Sequence, residues 1–255
     1  MGIVMAFRAP VMSRTGTGRL GLLFFVLIVA IKLALSHTAD LCRLFLVRHG
    51  QSYPNVHGKI VSSLQEGIKD ENGLTSTGRS QAEEAGRQLF HILLGSNADH
   101  LIGKDDILIL TSPFSRAKQT AEIIQQSLGC GLEVRSELRE RWFGSLDGAS
   151  DKHYQDIWAQ DAESLTGAET VFGAETLESV AQRTKSVAAL ADPANPVAAH
   201  RYRAVVLVSH GDALQILQTA LLRHNLRAHR ALPHLGNCEV REVHWPPPRG
   251  AGGGA

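Results

Sequence analysis

The 255-residue chain has only three cysteines, Cys42, Cys130 and Cys238, far apart and with no CxxC pair. That spacing excludes a disulfide-stapled fold and a paired-thiol redox or zinc motif, and leads us to expect buried free thiols. Charge of one sign is also lacking. The formal net charge is +1, and Arg8, Arg14, Arg19 and Lys32 all precede the first acidic residue, Asp40. The rest of the chain is slightly acidic, so nucleic acid is not an expected partner and any anion site must be a local cluster of cations. No dense carboxylate or His/Cys ligand spacing stands out, so neither a metal nor another cofactor is expected. Internal repeats and exposed heptads are missing too, which leaves oligomeric state open. A composition of 44% hydrophobic and 20% charged residues is that of an ordinary globular protein with room for one sizeable α/β domain.

One long hydrophobic run is present. Residues 20–35 read LGLLFFVLIVAIKLAL, apolar except for glycine and Lys32. The run is slightly short for a membrane span of about 20 residues and long for a signal-peptide core of about 7–15. Residues 1–40 are therefore read as a hydrophobic targeting or membrane-anchor segment, with membrane association through residues 20–35 preferred. A cleaved signal for the secretory pathway, with small residues near Ser36 to Ala39 suiting the peptidase, stays open. So do an Arg-rich, acid-poor organelle presequence and a buried helix of the domain. At the other end, residues 246–255 (PPPRGAGGGA) are low in complexity and expected to be a disordered tail.

Between these ends, apolar runs and helical periodicity alternate. Residues 41–47 (LCRLFLV), 107–110, 132–134, 204–208 and 239–243 read as strands. Residues 77–94, 114–128, 175–190 and 213–223 read as helices. Such alternation predicts a three-layer α/β/α sandwich around a mostly parallel sheet. From Asp147 to Gly173 the pattern weakens. This acidic, Gly-containing stretch is expected to form helices and loops over the site and to govern specificity.

Three strand ends carry polar groups: Arg48-His49-Gly50, Ser112 to Arg116, and Ser209-His210-Gly211. Ligands of open α/β sheets bind beyond the carboxyl ends of the strands, so these segments should converge on one crevice. Either histidine alone would read as a hydrogen-bonded structural residue. Two imidazoles and two guanidiniums together would repel one another unless a dianion lay between them, and arginine's planar fork matches phosphate oxygens.

With these residues in view, the chain resembles the histidine phosphatase superfamily, which includes phosphoglycerate mutase-like enzymes. The resemblance is carried, in order, by LVRHGQSYPN (46–55), LTSTGRSQA (74–82), SPFSRAKQTA (112–121), LRERWFGSLDG (138–148) and VSHGDAL (208–214). It implies a histidine phosphatase domain over residues 41–245, with His49 as nucleophile and Arg48, Arg116 and His210 as phosphate-pocket residues. Glu140 matches the family's proton donor, Asn55 and Ser52 match positions that hold phosphoryl oxygens, and Arg141 falls where mutases contact substrate. Gln51, where many members have Glu, and Trp142-Phe143, in place of His-Tyr in many mutases, depart from the pattern. Apart from the motif, Glu140 in the charged run 137–141 would also read as a surface salt-bridge partner.

The implied chemistry is attack by neutral His49 on phosphorus, with the cationic pocket lowering the imidazole pKa below its usual 6.5 or so. A protonated Glu140 would then serve the leaving alkoxide. The expected substrate is a small phosphomonoester. Hydrolysis is favoured over mutase-type transfer because the segment after Gly148 does not follow the mutase pattern and an N-terminal targeting segment is unusual for a glycolytic mutase. An inactive phospho-ligand-binding protein is the third reading.

Overall fold

The structure is a computed structural model and describes residues 42–95, 102–163, 171–192, 194–195 and 201–245. The run at 20–35 and the tail at 246–255 lie outside the described residues. In chain order the elements are β1 (Arg43–Arg48), α1 (Tyr53–Val56), α2 (Leu64–Gly67), α3 (Ser76–Leu93), β2 (Ile107–Thr111), α4 (Ser115–Leu128), β3 (Gly131–Val134), α5 (Tyr154–Glu163), α6 (Leu177–Ala188), β4 (Ala204–Ser209), α7 (Gly211–Leu221) and β5 (Val240–Val243). Short 3-10 turns join several of them. The sheet order is β3-β2-β4-β1-β5. Every pairing is parallel except that of β5, which runs antiparallel to β1 at one edge.

Strands β2 and β4 are buried along their whole length, as strands covered on both faces must be. Side-chain alternation sorts their residues into two cores. Phe45, Val47, Ile109, Val206 and Val208 pack with Ala82, Ala85 and Leu89 of α3 and Ala121 and Ile124 of α4. Leu44, Leu46, Leu110, Val205 and Leu207 pack on the other face with Val187 of α6 and Leu214 and Leu217 of α7. The three layers expected from the sequence are thus present. Cys130 and Cys238 are buried and Cys42 is half-buried, all as free thiols that burial pushes up to about 11, 12 and 11 respectively.

Predicted boundaries shift where caps decide them. Thr75 precedes α3 and its hydroxyl accepts the Gly78 amide, an N-cap worth about 1 kcal/mol. Thr176 caps α6 in the same way, so that helix starts at Leu177 rather than 175. A shift of the same size in the opposite direction occurs at α7, which begins at Gly211 directly after its N-cap residue His210, instead of at 213. Asp212 therefore lies in a helical first turn. Two motif glycines are fixed by close approach: a Cβ at Gly50 would lie 2.5 Å from the Gly78 carbonyl oxygen, and one at Gly78 only 2.0 Å from that of Gln51. This contact seats the loop after β1 on the start of α3.

Candidate active site

Sheet register brings the three strand ends together. Arg48, the last residue of β1, is paired with Ser209, the last of β4, and the chain continues the ladder through His49 N–H to Ser209 O at 2.9 Å. Ser112 N–H reaches Val208 O at 3.0 Å. As a result the His49 and His210 rings lie edge to face, 5.2 Å apart.

His49 is held in one tautomer. Its Nδ1 is 2.8 Å from the Gly50 carbonyl oxygen, which can only accept, so Nδ1 carries the hydrogen and Nε2 the lone pair. Arg116 Nε donates to that lone pair at 3.1 Å, and Arg116 Nη2 to Val61 O at 2.9 Å. The His49 pKa is held well below 6.5, first by burial and then by Arg116 and Arg48. The direction agrees with the sequence expectation, but burial outranks the cations as the cause. His210 is lowered as well, by burial and then by Arg116.

Several polar atoms here have no partner among the described residues: the donors Arg48 Nε and Arg116 Nη1 and the ring nitrogen His210 Nδ1 are buried and unpaired. Each orphaned donor costs about 1–3 kcal/mol, more for a charged group. Arg48 Nη1 is anchored by Leu235 O at 3.0 Å and His234 Nε2 at 2.8 Å. His210 packs against His49 and Phe114, with Nε2 2.8 Å from Ser112 Oγ. It is fully buried, beside His49.

Glu140 is not the surface ion pair its neighbourhood in the sequence allows. It is 6% exposed, and its Oε1 accepts the amides of Arg141 at 2.9 Å and Ala213 at 3.4 Å. Burial, then the Asp212 charge, pushes its pKa up to about 7, against the pull of Arg116. A carboxyl of this kind is poised to give and take a proton near neutrality.

The three remaining sequence candidates separate. Asn55 lines the cavity, and its Oδ1 accepts both the amide and the hydroxyl of Ser52, at 3.1 and 3.0 Å. Ser52 is fully buried and acts on Asn55 instead of facing the cavity. Arg141 does not reach the cavity either: its guanidinium is tied to Asp161 at 2.6 and 2.8 Å and to Asp212 at 3.3 Å. The resemblance implied a substrate contact for Arg141, and here its guanidinium is engaged by these two aspartates.

The cavity measures about 210 Å³. Arg48, His49, Arg116 and Glu140 form its floor, and, alongside Asn55, the polar and aromatic side chains of Lys59, Tyr154, Trp158, Asp151, Asp212 and His234 line it further. Sequence reasoning missed these six. Tyr154 and Trp158 stand one helical turn apart on α5, in the segment expected to cover the site, and stack at 5.4 Å. That i, i+4 spacing was the available signal. Asp212 was quoted within SHGDAL but given no role, and His234, in the loop before β5, had no signal at all. Among the described residues, no group of three or more His, Cys, Asp or Glu side chains is placed to hold a metal, and no helix is long and apolar enough to cross a membrane.

The model of the histidine phosphatase superfamily (branch 1) matches residues 44–251. The chain belongs to this superfamily. Among its histidine phosphatase relatives, "Probable phosphoglycerate mutase GpmB" of Salmonella paratyphi C is 31% identical over 206 residues, 80% of this chain and 85% of that one. Among solved structures, mycobacterial glucosyl-3-phosphoglycerate phosphatase in complex with VO3 superposes with a TM-score of 0.61 at 26% identity, covering 80% of this chain and 92% of that one. The phosphoserine phosphatase of Entamoeba histolytica, in complex with 3-phosphoglyceric acid, shares the fold with a TM-score of 0.60 at 21% identity, over 79% and 90% of the two chains.

Proposed function

We propose that this histidine phosphatase hydrolyses a small phosphomonoester through a phosphohistidine on His49 Nε2. The observation that carries the reading is the set of buried, unpaired donors on Arg48 and Arg116 beside a neutral imidazole whose lone pair is fixed toward them. A phosphoryl group bound there would supply the missing acceptors. In-line attack by the Nε2 lone pair forms the P–N bond as the P–O bond to the alcohol breaks. Glu140 gives its proton to the departing oxygen. The Glu140 carboxylate then takes a proton from water, whose oxygen attacks phosphorus. The P–N electrons return to Nε2, and inorganic phosphate leaves with Glu140 protonated again. Arg48 and Arg116 hold the charge on the equatorial oxygens throughout, the dominant contribution in phosphoryl transfer.

Hydrolysis is favoured over mutase-type transfer by the state of Arg141. With both terminal nitrogens engaged by Asp161 and Asp212, it is not free to hold a phosphoglycerate carboxylate. The names of the sequence relatives keep the mutase as the second reading. Purified protein should release phosphate from p-nitrophenyl phosphate, and His49→Ala should abolish release. A radiolabelled substrate quenched in alkaline detergent should leave an acid-labile label on residue 49, and an unlabelled His49 under turnover would overturn the reading. A parallel assay with 3-phosphoglycerate and bisphosphoglycerate should show phosphate release exceeding isomer exchange. The run at 20–35 supports membrane association or targeting, tested by fractionating the full chain against one lacking residues 1–40.

A further inference from the structure

Asp212 lies on the cavity wall beside Glu140 and takes no part in the steps above. It is 5% exposed, in the first turn of α7, two residues after His210. Its Oδ1 accepts Trp158 Nε1 at 2.9 Å and stands 3.4 Å from His229 Nε2, while Oδ2 takes Arg141 Nη1 at 3.3 Å. The two carboxylates are interlocked. Arg141 gives its backbone N–H to Glu140 and its guanidinium to Asp212, and Ala213, next in sequence to Asp212, gives its N–H to Glu140.

We propose that Asp212 is a positioning residue for Glu140: a permanently ionised second carboxylate that keeps the proton on its neighbour and so sets the pH range in which the acid is available. The inference rests on Glu140 acting as the proton donor.

The division of donors between the pair decides which one keeps the charge. Asp212 receives the Arg141 cation and the Trp158 N–H, whereas Glu140 receives two amides, one of them from Ala213 in the first turn of α7, and no cation's hydrogen bond among the described residues. Two buried carboxylates cannot both ionise cheaply, so the better-provided one ionises and the other holds its proton. The remaining charged groups fit this division. Asp212 also faces His229 and Arg230 from the turn after α7, Asp161 and Tyr154 on α5, and His234 from the loop before β5. Glu140 faces Arg116 from α4, Arg48 from β1 and Tyr154 from α5. Those two arginines favour the Glu140 anion, so it is burial and the Asp212 charge that hold the proton against them.

The test is the pH dependence of kcat/KM, which reports groups of the free enzyme up to the first phosphoryl transfer. Asp212→Asn should move the alkaline limb to lower pH by about one unit. A lower plateau with an unmoved limb would mean a merely structural role and would overturn the proposal. The unmodified enzyme gives a reading that does not depend on the variant folding. With carboxyl-¹³C aspartate and glutamate, and Glu140 assigned through Glu140→Gln, Asp212 should stay ionised between pH 5.5 and 6.5 on the model-compound scale while Glu140 stays protonated. Asp212 titrating in that window would sink the idea. Persistent turnover in His49→Ala would instead defeat the proposed function, whereas a dead His49→Ala with an unmoved limb defeats only the role of Asp212.

Discussion

The floor and the rim of the cavity are built from different parts of the chain. On the floor, Arg48 ends β1 and His49 follows it, both placed by sheet register, while Arg116 comes from the first turn of α4 and Glu140 from the loop between β3 and α5. At the rim, Tyr154 and Trp158 come from α5, Asp151 from the turn before it and His234 from the loop before β5. Arg48 and His49 are held by backbone pairing with β4, while the Arg116 guanidinium is held by Val61 O and the Glu140 carboxyl by the Arg141 and Ala213 amides. The rim is held by side-chain packing, with Phe143 against Tyr154 at 4.9 Å, Tyr154 on Trp158, and the Arg230 guanidinium over the Trp158 ring at 3.6 Å. If the floor carries the transfer step as proposed, changes at the rim should alter substrate binding more than transfer.

That contrast can be broken from the floor. Glu140→Gln should lower kcat/KM for an alkyl phosphate by about 10²–10⁴ while leaving p-nitrophenyl phosphate far less affected, since a phenolate needs little help to leave. Equal losses on both esters would remove Glu140 from proton donation. Arg116→Lys should cost about 10²–10³ in kcat with the fold intact, because an ammonium cannot span His49 Nε2, Val61 O and a phosphate oxygen together.

The rim should respond more mildly and in KM. His234→Ala frees Arg48 Nη1 from one of its two anchors, and about a fivefold rise in KM with kcat nearly unchanged is the expected result of a loosened positioning contact worth about 1 kcal/mol. A fall in kcat equal to that of Arg116→Lys would erase the distinction between floor and rim.

Stability should also respond, on the floor side of the comparison. With Glu140 at about 7 in the folded state against 4.5 unfolded, its contribution is fully present below pH 4.5 and lost as pH rises toward 7. Glu140→Gln should therefore stabilise the protein more at pH 8 than at pH 5.5, by on the order of 2 kcal/mol, as read from denaturant midpoints at the two values. An equal change at both pH values would mean that the buried carboxyl is not strained.

The floor was legible in the sequence because its residues sit in short contiguous motifs at strand ends, and periodicity alone gave the strand and helix order that juxtaposes them. The pairing of Arg141 was not legible because adjacency to Glu140 does not say which way a side chain turns; its two aspartate partners are 20 and 71 residues away. The same long separations hid His234, whose contact with Arg48 spans 186 residues. Ser52 was half legible, since it sits beside the cavity but works by turning the Asn55 amide. The antiparallel β5 had no signature in its own residues, because strand direction is set by how the chain returns to the sheet.

The bond from His49 Nδ1 to the Gly50 carbonyl has a kinetic meaning. A ring that swung round to offer its other nitrogen would strand that carbonyl without a donor, so the imidazole is a fixed post with one loading point. In the proposed reaction, ester, alcohol, water and free phosphate would then reach the same nitrogen in turn, through the cavity onto which it opens.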